Sequence, residues 1–378
     1  MASYEKVLEN IRGLNIVSGA LHKDCIYFVA ENYYDKKIHG DKYDEWDYPI
    51  EIRIYMYVPK LKKVKDEWFA KAYNEVGFLK HVTDISNDII AFLGVFPEGS
   101  LAIQNNVEET SSGFQTLLKI IPVQGAITDV SVIDDAVYAT ASGGEVYKRI
   151  SNKEWKEIAK LSTKNFFSNK RSADGFDCID GFSADEIYAG GEKGTLWLFN
   201  KDTWRPIELP SNSDVQQIIC APDGYVYLNM GWLLLKGRED NWEKIKIPKE
   251  FKWIDSQIRK ITWFKDKLYV LPYTASVYGM AVYQDNDLKA VKVGSFTINP
   301  EKIINDNPLW GIETKNMDTN VFIPSGINDM VANDELLMIT GNDEVILFNG
   351  ERWFNLFDKN RSEEELRATG TFYDPREL

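Results

Sequence analysis

The chain has 378 residues, of which 44% are hydrophobic and 13% aromatic, enough apolar material for a large core. Its 44 Lys and Arg residues are outnumbered by 58 Asp and Glu residues, so the formal net charge is −14. Nucleic-acid binding depends on basic side chains that neutralise phosphates, and this charge argues against it. An acidic surface either keeps the protein soluble or suits a basic partner.

The sequence predicts a cytoplasmic location. Residues 1–10 lack the basic start and the apolar stretch of a signal peptide. No segment reaches the ~18 uninterrupted apolar residues that cross a bilayer. Cys25, Cys178 and Cys220 are odd in number and fall in predicted strands, which favours free thiols in a reducing compartment.

Short helices are predicted at both ends of the chain. Within residues 1–13, apolar residues recur at helical spacing, and an N-terminal strand that completes the last sheet is the alternative. The apolar residues are Tyr4, Val7, Leu8 and Ile11. Near the C-terminus, Ser362 and Glu365 have the spacing of a capping box that opens a brief helix. Pairing of Tyr373 and its neighbours with a sheet is the alternative there.

Between these ends the chain is a repeat, clearest in residues 176–209. Four short runs of apolar, β-branched and aromatic residues alternate there with three turn clusters, so consecutive strands must be antiparallel neighbours. Each unit has a turn Asp before an apolar pair: Asp24, Asp88, Asp135, Asp185, Asp223, Asp266 and Asp334. Most units also have a Trp at the start of the fourth strand: Trp68, Trp155, Trp204, Trp242 and Trp353. We expect the last four to be largely buried at equivalent positions of their blades.

The repeat predicts an all-β fold, a seven-bladed β-propeller of four-stranded antiparallel blades. We expect one domain over residues 1–378, because no linker or low-complexity segment interrupts the ring. The predicted blades are residues 14–73, 82–121, 127–161, 176–209, 215–247, 258–294 and 327–357.

Loop lengths predict which side of the ring binds a partner. In an antiparallel meander, the first-to-second and third-to-fourth turns share one side, here called the hairpin face. The second-to-third turns and the blade connections share the other side, here called the loop face. The long insertions, residues 31–49, 162–175 and 295–326, all fall on the loop face. Long loops in compact domains are often functional, so we expect the loop face to be the working one.

The first insertion has five aromatic residues among six acids and three lysines. Aromatic side chains give large contact areas at protein interfaces, and acids select a cationic surface. The alternative is that the rings pack the insertion back onto blade one. The second insertion is basic, so the face is mixed in charge. The predicted partner-binding residues are Tyr33, Tyr34, Tyr43, Asp44, Glu45, Trp46, Asp47 and Tyr48, with Trp310 in the third insertion.

A second candidate site lies on the innermost strands. Asp84, Asp129 and Asp329 follow the same local pattern in three blades, so they could line the central channel and bind a cation or a basic side chain. The alternative is that they hydrate the channel or cap neighbouring backbone donors.

Motifs of catalysis are missing, so we expect a protein that is not an enzyme and uses no metal or cofactor. The three histidines, His22, His39 and His81, lack metal-site spacing, and no nucleophile elbow or phosphate-binding loop occurs. Residues 191–197 look partly like the Asp-box of sialidase-type propellers, but Lys193 stands where that box has its Asp. An enzyme whose carboxylates converge from different blades is the alternative.

The repeat resembles bacterial β-propellers with blades of the type Asp-x-Ile-Tyr-Ala-x-Gly…Gly-x-Leu-Trp-x-Phe-Asn…Trp, and blade four matches best. The WD40 signatures are absent. An acidic propeller without enzyme motifs and with aromatic insertions also looks like an immunity protein of a bacterial toxin pair. That resemblance implies a protein partner, such as a basic toxin domain. A propeller hydrolase or lyase acting on carbohydrate, or a sugar-binding lectin, is the alternative.

Overall fold

The computed structural model describes most of the chain, with side chains in nearly all of that part. Of the strands between residues 67 and 119, only Trp68 has a described side chain. The described residues are 3–21, 25–40, 42, 49, 51–58, 67–74, 79–86, 89–94, 100–104, 117–119, 127–151, 154–160, 175–248, 257–273, 280–291, 295–297, 320–321 and 326–375.

The described elements are short strands with a few brief helices. Helix α1 is Tyr4–Asn10, α2 is Lys36–His39, α3 is Glu363–Ala368, and a 3₁₀ turn is Glu192–Gly194. The strands of the first half are β1 Leu14–Leu21, β2 Ile26–Asn32, β3 Glu51–Val58, β4 Glu67–Asn74, β5 Leu79–Ser86, β6 Ile89–Gly94, β7 Ser100–Gln104, β8 Leu117–Lys119, β9 Ile127–Ile133, β10 Ala136–Ala141, β11 Glu145–Ser151 and β12 Glu154–Lys160.

The second half continues the same pattern. Its strands are β13 Phe176–Ser183, β14 Glu186–Gly191, β15 Leu196–Asn200, β16 Thr203–Pro206, β17 Gln217–Cys220, β18 Val226–Asn229, β19 Leu234–Arg238, β20 Asn241–Lys244, β21 Ile258–Phe264, β22 Lys267–Pro272, β23 Met280–Gln284, β24 Asp287–Val291, β25 Ser295–Thr297, β26 Asn320–Val321, β27 Ile327–Ala332, β28 Leu337–Gly341, β29 Glu344–Phe348 and β30 Trp353–Asp358.

Four consecutive strands form each blade, as predicted. Strand pairing gives four-stranded antiparallel sheets of β1–β4, β5–β8, β9–β12, β13–β16, β17–β20, β21–β24 and β27–β30, and a two-stranded sheet of β25 and β26. The predicted ring of seven complete blades needs a correction. Six blades have a described side-chain core, whereas β5–β8 is defined by backbone pairing alone. Neighbouring first strands contact one another in chain order, and β1 contacts β27.

The turn Asp residues mark the first-to-second hairpins wherever these are described. Asp135 and Asp266 have positive φ, and so do the residues that precede them, Asp134 and Lys265. Two adjacent left-handed residues are the backbone of a tight two-residue hairpin, for which Asp is a favoured residue. Asp185, Asp223 and Asp334 occupy the corresponding turns, and Asp24 and Asp88 lie outside the described residues.

The Trp residues of the fourth strands occupy matching positions but are less buried than expected. Trp155, Trp204, Trp242 and Trp353 each pair with a residue near the end of the third strand. Only Trp155 among these four is buried, at 8% exposure, and the other three are half-buried. The fourth strand is the outer edge of its blade, so one side of each ring faces outward. Trp155 is therefore the one buried ring among these four, and the other three pack partly exposed against the blade cores.

The ring closes through an aromatic cluster between the first and last blades, without exchange of a strand. Tyr4 of α1 lies 5.1 Å from Phe357 and 6.0 Å from Trp68, ring centre to ring centre. Phe28 stacks on Tyr55 and on Phe357 at 5.0 and 5.3 Å. Rings bury much area each, and stacked or edge-on pairs add to that gain. The predicted N-terminal helix is thus confirmed, and it covers the closure.

The C-terminal segment also packs on the last blade. The predicted capped helix and the alternative, pairing of Tyr373 with a sheet, both occur. Ser362 and Glu365 form the reciprocal bonds of a capping box at the start of α3. Beyond that helix, Asn355 of β30 donates its backbone N–H to Thr371, and Tyr373 donates its own to Asn355 at 2.8 Å. The tail therefore pairs alongside the outer strand of the last blade.

Candidate protein-binding face

The base of the first insertion is held by one side chain at the end of β2. Asn32 donates its side-chain N–H to the carbonyl of Pro49 at 3.0 Å and accepts from the backbone N–H of Glu51 at 2.7 Å. Within the insertion, Asp35 caps the short helix α2 by accepting from Lys37. The two ends of the insertion therefore stay together on the loop face.

The structure describes only part of the predicted recognition element. Tyr33 follows β2 directly and is 48% exposed, whereas Tyr34 is half-buried, with its ring 6.1 Å from that of His39. The remaining predicted partner-binding residues lie outside the described residues, and their role stays a prediction. They are Tyr43, Asp44, Glu45, Trp46, Asp47, Tyr48 and Trp310.

An exposed Trp that the sequence analysis did not single out lies on the same face, in the second-to-third turn of blade five. Trp232 is 56% exposed. Its turn is tightly held: Gly231 has φ +73°, and its N–H donates to the side chain of buried Asn229 at 2.9 Å. The side chain of Asn229 also donates to the carbonyl of Ile258, whose N–H returns to Gly231 at 2.7 Å. The backbone below Trp232 is therefore fixed to the neighbouring blade.

Tyr273 lies beside the same segment, at the end of β22 in blade six. Its N–H donates to Gln257 at 3.0 Å, and its side chain is 52% exposed. The guanidinium of Arg259 lies 4.8 Å from the centre of the Tyr273 ring. Arg259 also donates from Nε to the carbonyl of Asn328 at 2.6 Å, which ties blade six to blade seven. Trp232, Tyr273 and Arg259 therefore share one region of the loop face.

The innermost Asp residues bridge blades. Asp129 accepts from the backbone N–H of its neighbour Val130 at 2.9 Å and from Ile179 of the next blade at 3.0 Å. Asp329 accepts from the Ser18 hydroxyl at 2.7 Å and pairs with Lys260 at 3.0 Å. Asp129 thus caps backbone donors, as in the capping alternative, whereas Asp329 binds the basic side chain of Lys260, as in the first interpretation. The side chain of Asp84, on β5, lies outside the described part of the chain.

A third such carboxylate, Asp180, belongs to the same system but was not predicted. It accepts from Ser131 of the preceding blade at 3.2 Å, from Gly181 at 2.9 Å and from the N–H of Cys220 in the following blade at 2.8 Å. Burial raises the pKa of Asp180 from 3.8 to about 7, although these three donors act in the opposite direction. The signal in the sequence was the Ile-Asp-Gly run in the first strand of blade four.

Neither a metal-binding cluster nor a membrane-spanning helix occurs among the described residues. Within them, no group of three or more His, Cys, Asp or Glu side chains could hold a metal ion. Nor does any helix in the described ranges have the length and apolar character needed to cross a membrane.

Comparisons with known proteins agree with the fold and add one relative. No protein-family model matches the chain. The immune protein Tsi7 of Pseudomonas aeruginosa is 32% identical over 199 residues, which cover 51% of this chain and 61% of that protein. The match therefore spans less than two thirds of the relative.

Solved structures with similar folds are distant in sequence. A chain of the mitotic checkpoint complex has a TM-score of 0.54 at 10% identity and covers 92% of this chain and 91% of its own. The propeller domain of the trilobed protease from Pyrococcus furiosus has a TM-score of 0.51 at 12% identity and covers 93% of this chain and 100% of its own. These similarities establish the propeller fold and nothing about activity.

Proposed function

We propose that this chain is a non-enzymatic immunity protein that binds a protein toxin and blocks it. The observation that carries the proposal is the 32% identity with the immune protein Tsi7. We further propose that the chain acts in the cytoplasm and that the toxin domain is basic. The net charge of −14 supports a basic partner, because opposite charges speed encounter and suppress wrong partners.

The loop face is the proposed binding surface. Three of the four strongly exposed aromatic residues in the described part of the chain lie on it, namely Tyr33, Trp232 and Tyr273. The fourth, Tyr225, lies on the hairpin face, where the ammonium of Lys236 sits 4.0 Å from its ring centre. Aromatic residues carry a large share of binding energy at protein interfaces, and the backbones of Trp232 and Tyr273 are held by hydrogen bonds to a neighbouring segment.

The test begins with the protein encoded beside the gene of this chain as the candidate toxin. Produced alone in a bacterial host, the candidate should arrest growth, and co-production of this chain should restore growth. An inactive variant of the candidate should form a stable complex with this chain in solution. A toxin from an unrelated pair serves as the specificity control. Growth arrest that this chain does not relieve, with no complex formed, would contradict the proposal.

A further inference from the structure

Trp232, Tyr273 and Arg259, here called the aromatic anchor, form a built surface on blades five and six. The side chain of Trp232 projects from a turn whose backbone is bonded to Ile258, and the backbone of Tyr273 is bonded to Gln257, so one short segment holds the backbone beneath both rings. Ordering a loop or a side chain on binding costs free energy, and a surface that is already held avoids much of this cost.

Arg259 retains hydrogen-bonding capacity at this surface. Its Nε and Nη2 donate to the carbonyl and side-chain oxygens of Asn328 at 2.6 and 3.3 Å. Its Nη1 has no hydrogen-bond partner among the described residues. The guanidinium is therefore fixed in orientation by Asn328 and by the Tyr273 ring, with one nitrogen left for a ligand. A carboxylate is the acceptor that fits a guanidinium best in geometry and charge.

The charge of Arg259 is also uncompensated within the described residues. The adjacent Lys260 pairs with Asp329 at 3.0 Å, so its charge is matched inside the ring. Arg259 forms no salt bridge with any described carboxylate. A guanidinium on a protein of net charge −14, paired only with an amide and a ring, is positioned to receive an anion from outside.

We propose that the aromatic anchor receives a segment of the toxin that carries a carboxylate beside an apolar side chain. The carboxylate lies against Arg259 and the apolar side chain against Trp232 and Tyr273. This inference rests on the proposed function, since the partner is the toxin. The toxin domain is proposed to be basic overall, and this carboxylate is a local acidic contact on its surface. Such a contact would fix the orientation of the two proteins in the complex.

The experiment measures the dissociation constant for the inactive toxin candidate described above, by titration calorimetry. The variants are Trp232→Ala, Arg259→Gln and Arg259→Glu, with Tyr225→Ala on the hairpin face as the matched control. Trp232→Ala should weaken binding about 30-fold, and Arg259→Gln about 10-fold. Arg259→Glu should weaken binding further than Arg259→Gln, because it repels the carboxylate. Tyr225→Ala should leave affinity within about 2-fold.

The direction in which Arg259→Glu changes the affinity is the decisive result. If Arg259→Glu binds as tightly as the wild type or more tightly, the toxin surface there is not acidic, and the inference is overturned. Normal affinity of Trp232→Ala would overturn it as well, while the proposed function would stand. A wild-type chain that does not bind the toxin would overturn both. Arg259→Lys, which keeps the charge, should bind more tightly than Arg259→Gln. If the two variants have equal melting temperatures, a loss of folding does not explain this difference.

Discussion

At the residue scale, single polar side chains on the innermost strands join one blade to the next. Asp129 reaches Ile179, Asp180 reaches Cys220, and Gln217 exchanges two bonds with Ile261 at 2.7 and 2.8 Å. Each side chain thus serves a backbone group of the following blade, which lies about 40–50 residues further along the chain. Buried or partly buried backbone groups need such partners where two sheets meet without a shared ladder.

Asp180 makes the free energy of unfolding depend on pH. Because burial raises its pKa from 3.8 to about 7, the folded state keeps a proton between these values that the unfolded state releases. Stability contributed by this proton is present at low pH and is lost as pH rises toward 7. The free energy of unfolding of the wild type, relative to that of Asp180→Asn, should therefore fall by about 3–4 kcal/mol between pH 4 and 7.

Urea unfolding of both proteins across this pH range checks the prediction. Asp129→Asn serves as a comparison, since Asp129 bridges blades in the same way. A difference between wild type and Asp180→Asn that stays constant or grows with pH would mean that Asp180 is ionised throughout. Its three hydrogen-bond donors would then outweigh burial.

At the element scale, the closure of the ring shows where sequence patterns stop being informative. Ile52, Ile54 and Met56 alternate along β3 with other residues, a pattern typical of one buried face. Tyr55 and Tyr57 lie on the opposite face, yet both are completely buried. Their side of the sheet is covered by rings from the other end of the chain: Tyr57 lies 6.5 Å from Tyr373, and Phe28, which stacks on Tyr55, packs against Phe357 of the last blade. Alternation along one strand indicates which side of its own sheet is buried. It does not show what the opposite end of the chain packs against that sheet.

Helix α1 should stabilise the closure through Tyr4. The Tyr4 hydroxyl accepts from the N–H of Asp358 and lies 3.0 Å from the carbonyls of Asp358 and Arg361. Tyr4→Phe leaves a buried N–H unsatisfied and should cost about 1–2 kcal/mol of unfolding free energy. Tyr4→Ala also removes the ring between Trp68 and Phe357, and should cost about 3–5 kcal/mol.

Chemical unfolding of the two variants measures these costs, and Tyr33→Ala is the matched control. Tyr33 is 48% exposed, so its truncation should change the unfolding free energy by less than about 0.5 kcal/mol. Equal stability of Tyr4→Ala and Tyr33→Ala would show that α1 is not part of the closure.

At the scale of the whole molecule, the sequence was sufficient to predict the four-stranded blade and the two faces of the ring. Turn residues such as Asp135 and Asp266 mark hairpins by their local backbone preference, so the strand order and the face of each loop follow from connectivity alone. The aromatic anchor could not be predicted in the same way. Trp232 stands in a turn like many others, and its exposure depends on Asn229 and Ile258, which meet only in the folded ring.

For residues 43–48 of the first insertion, prediction depends on the sequence alone. If it is a recognition element, replacing Tyr43 and Trp46 by Ala should leave the melting temperature nearly unchanged. The affinity for the toxin should fall about 30-fold, as for central aromatic anchors. Reversing the charges of Asp44, Glu45 and Asp47 should mainly slow association with a basic partner and weaken its salt dependence, because charges at the rim steer encounter.

Thermal unfolding and association kinetics on the same variants separate the two roles of the insertion. A lower melting temperature with unchanged affinity would mean that the rings of Tyr43 and Trp46 cover blade one. The toxin would then bind the loop face elsewhere, and the aromatic anchor on blades five and six would be the first place to look. Loss of affinity in both Trp46→Ala and Trp232→Ala would instead place the toxin across the ring. Their effects would then add, since distant contact residues contribute independently.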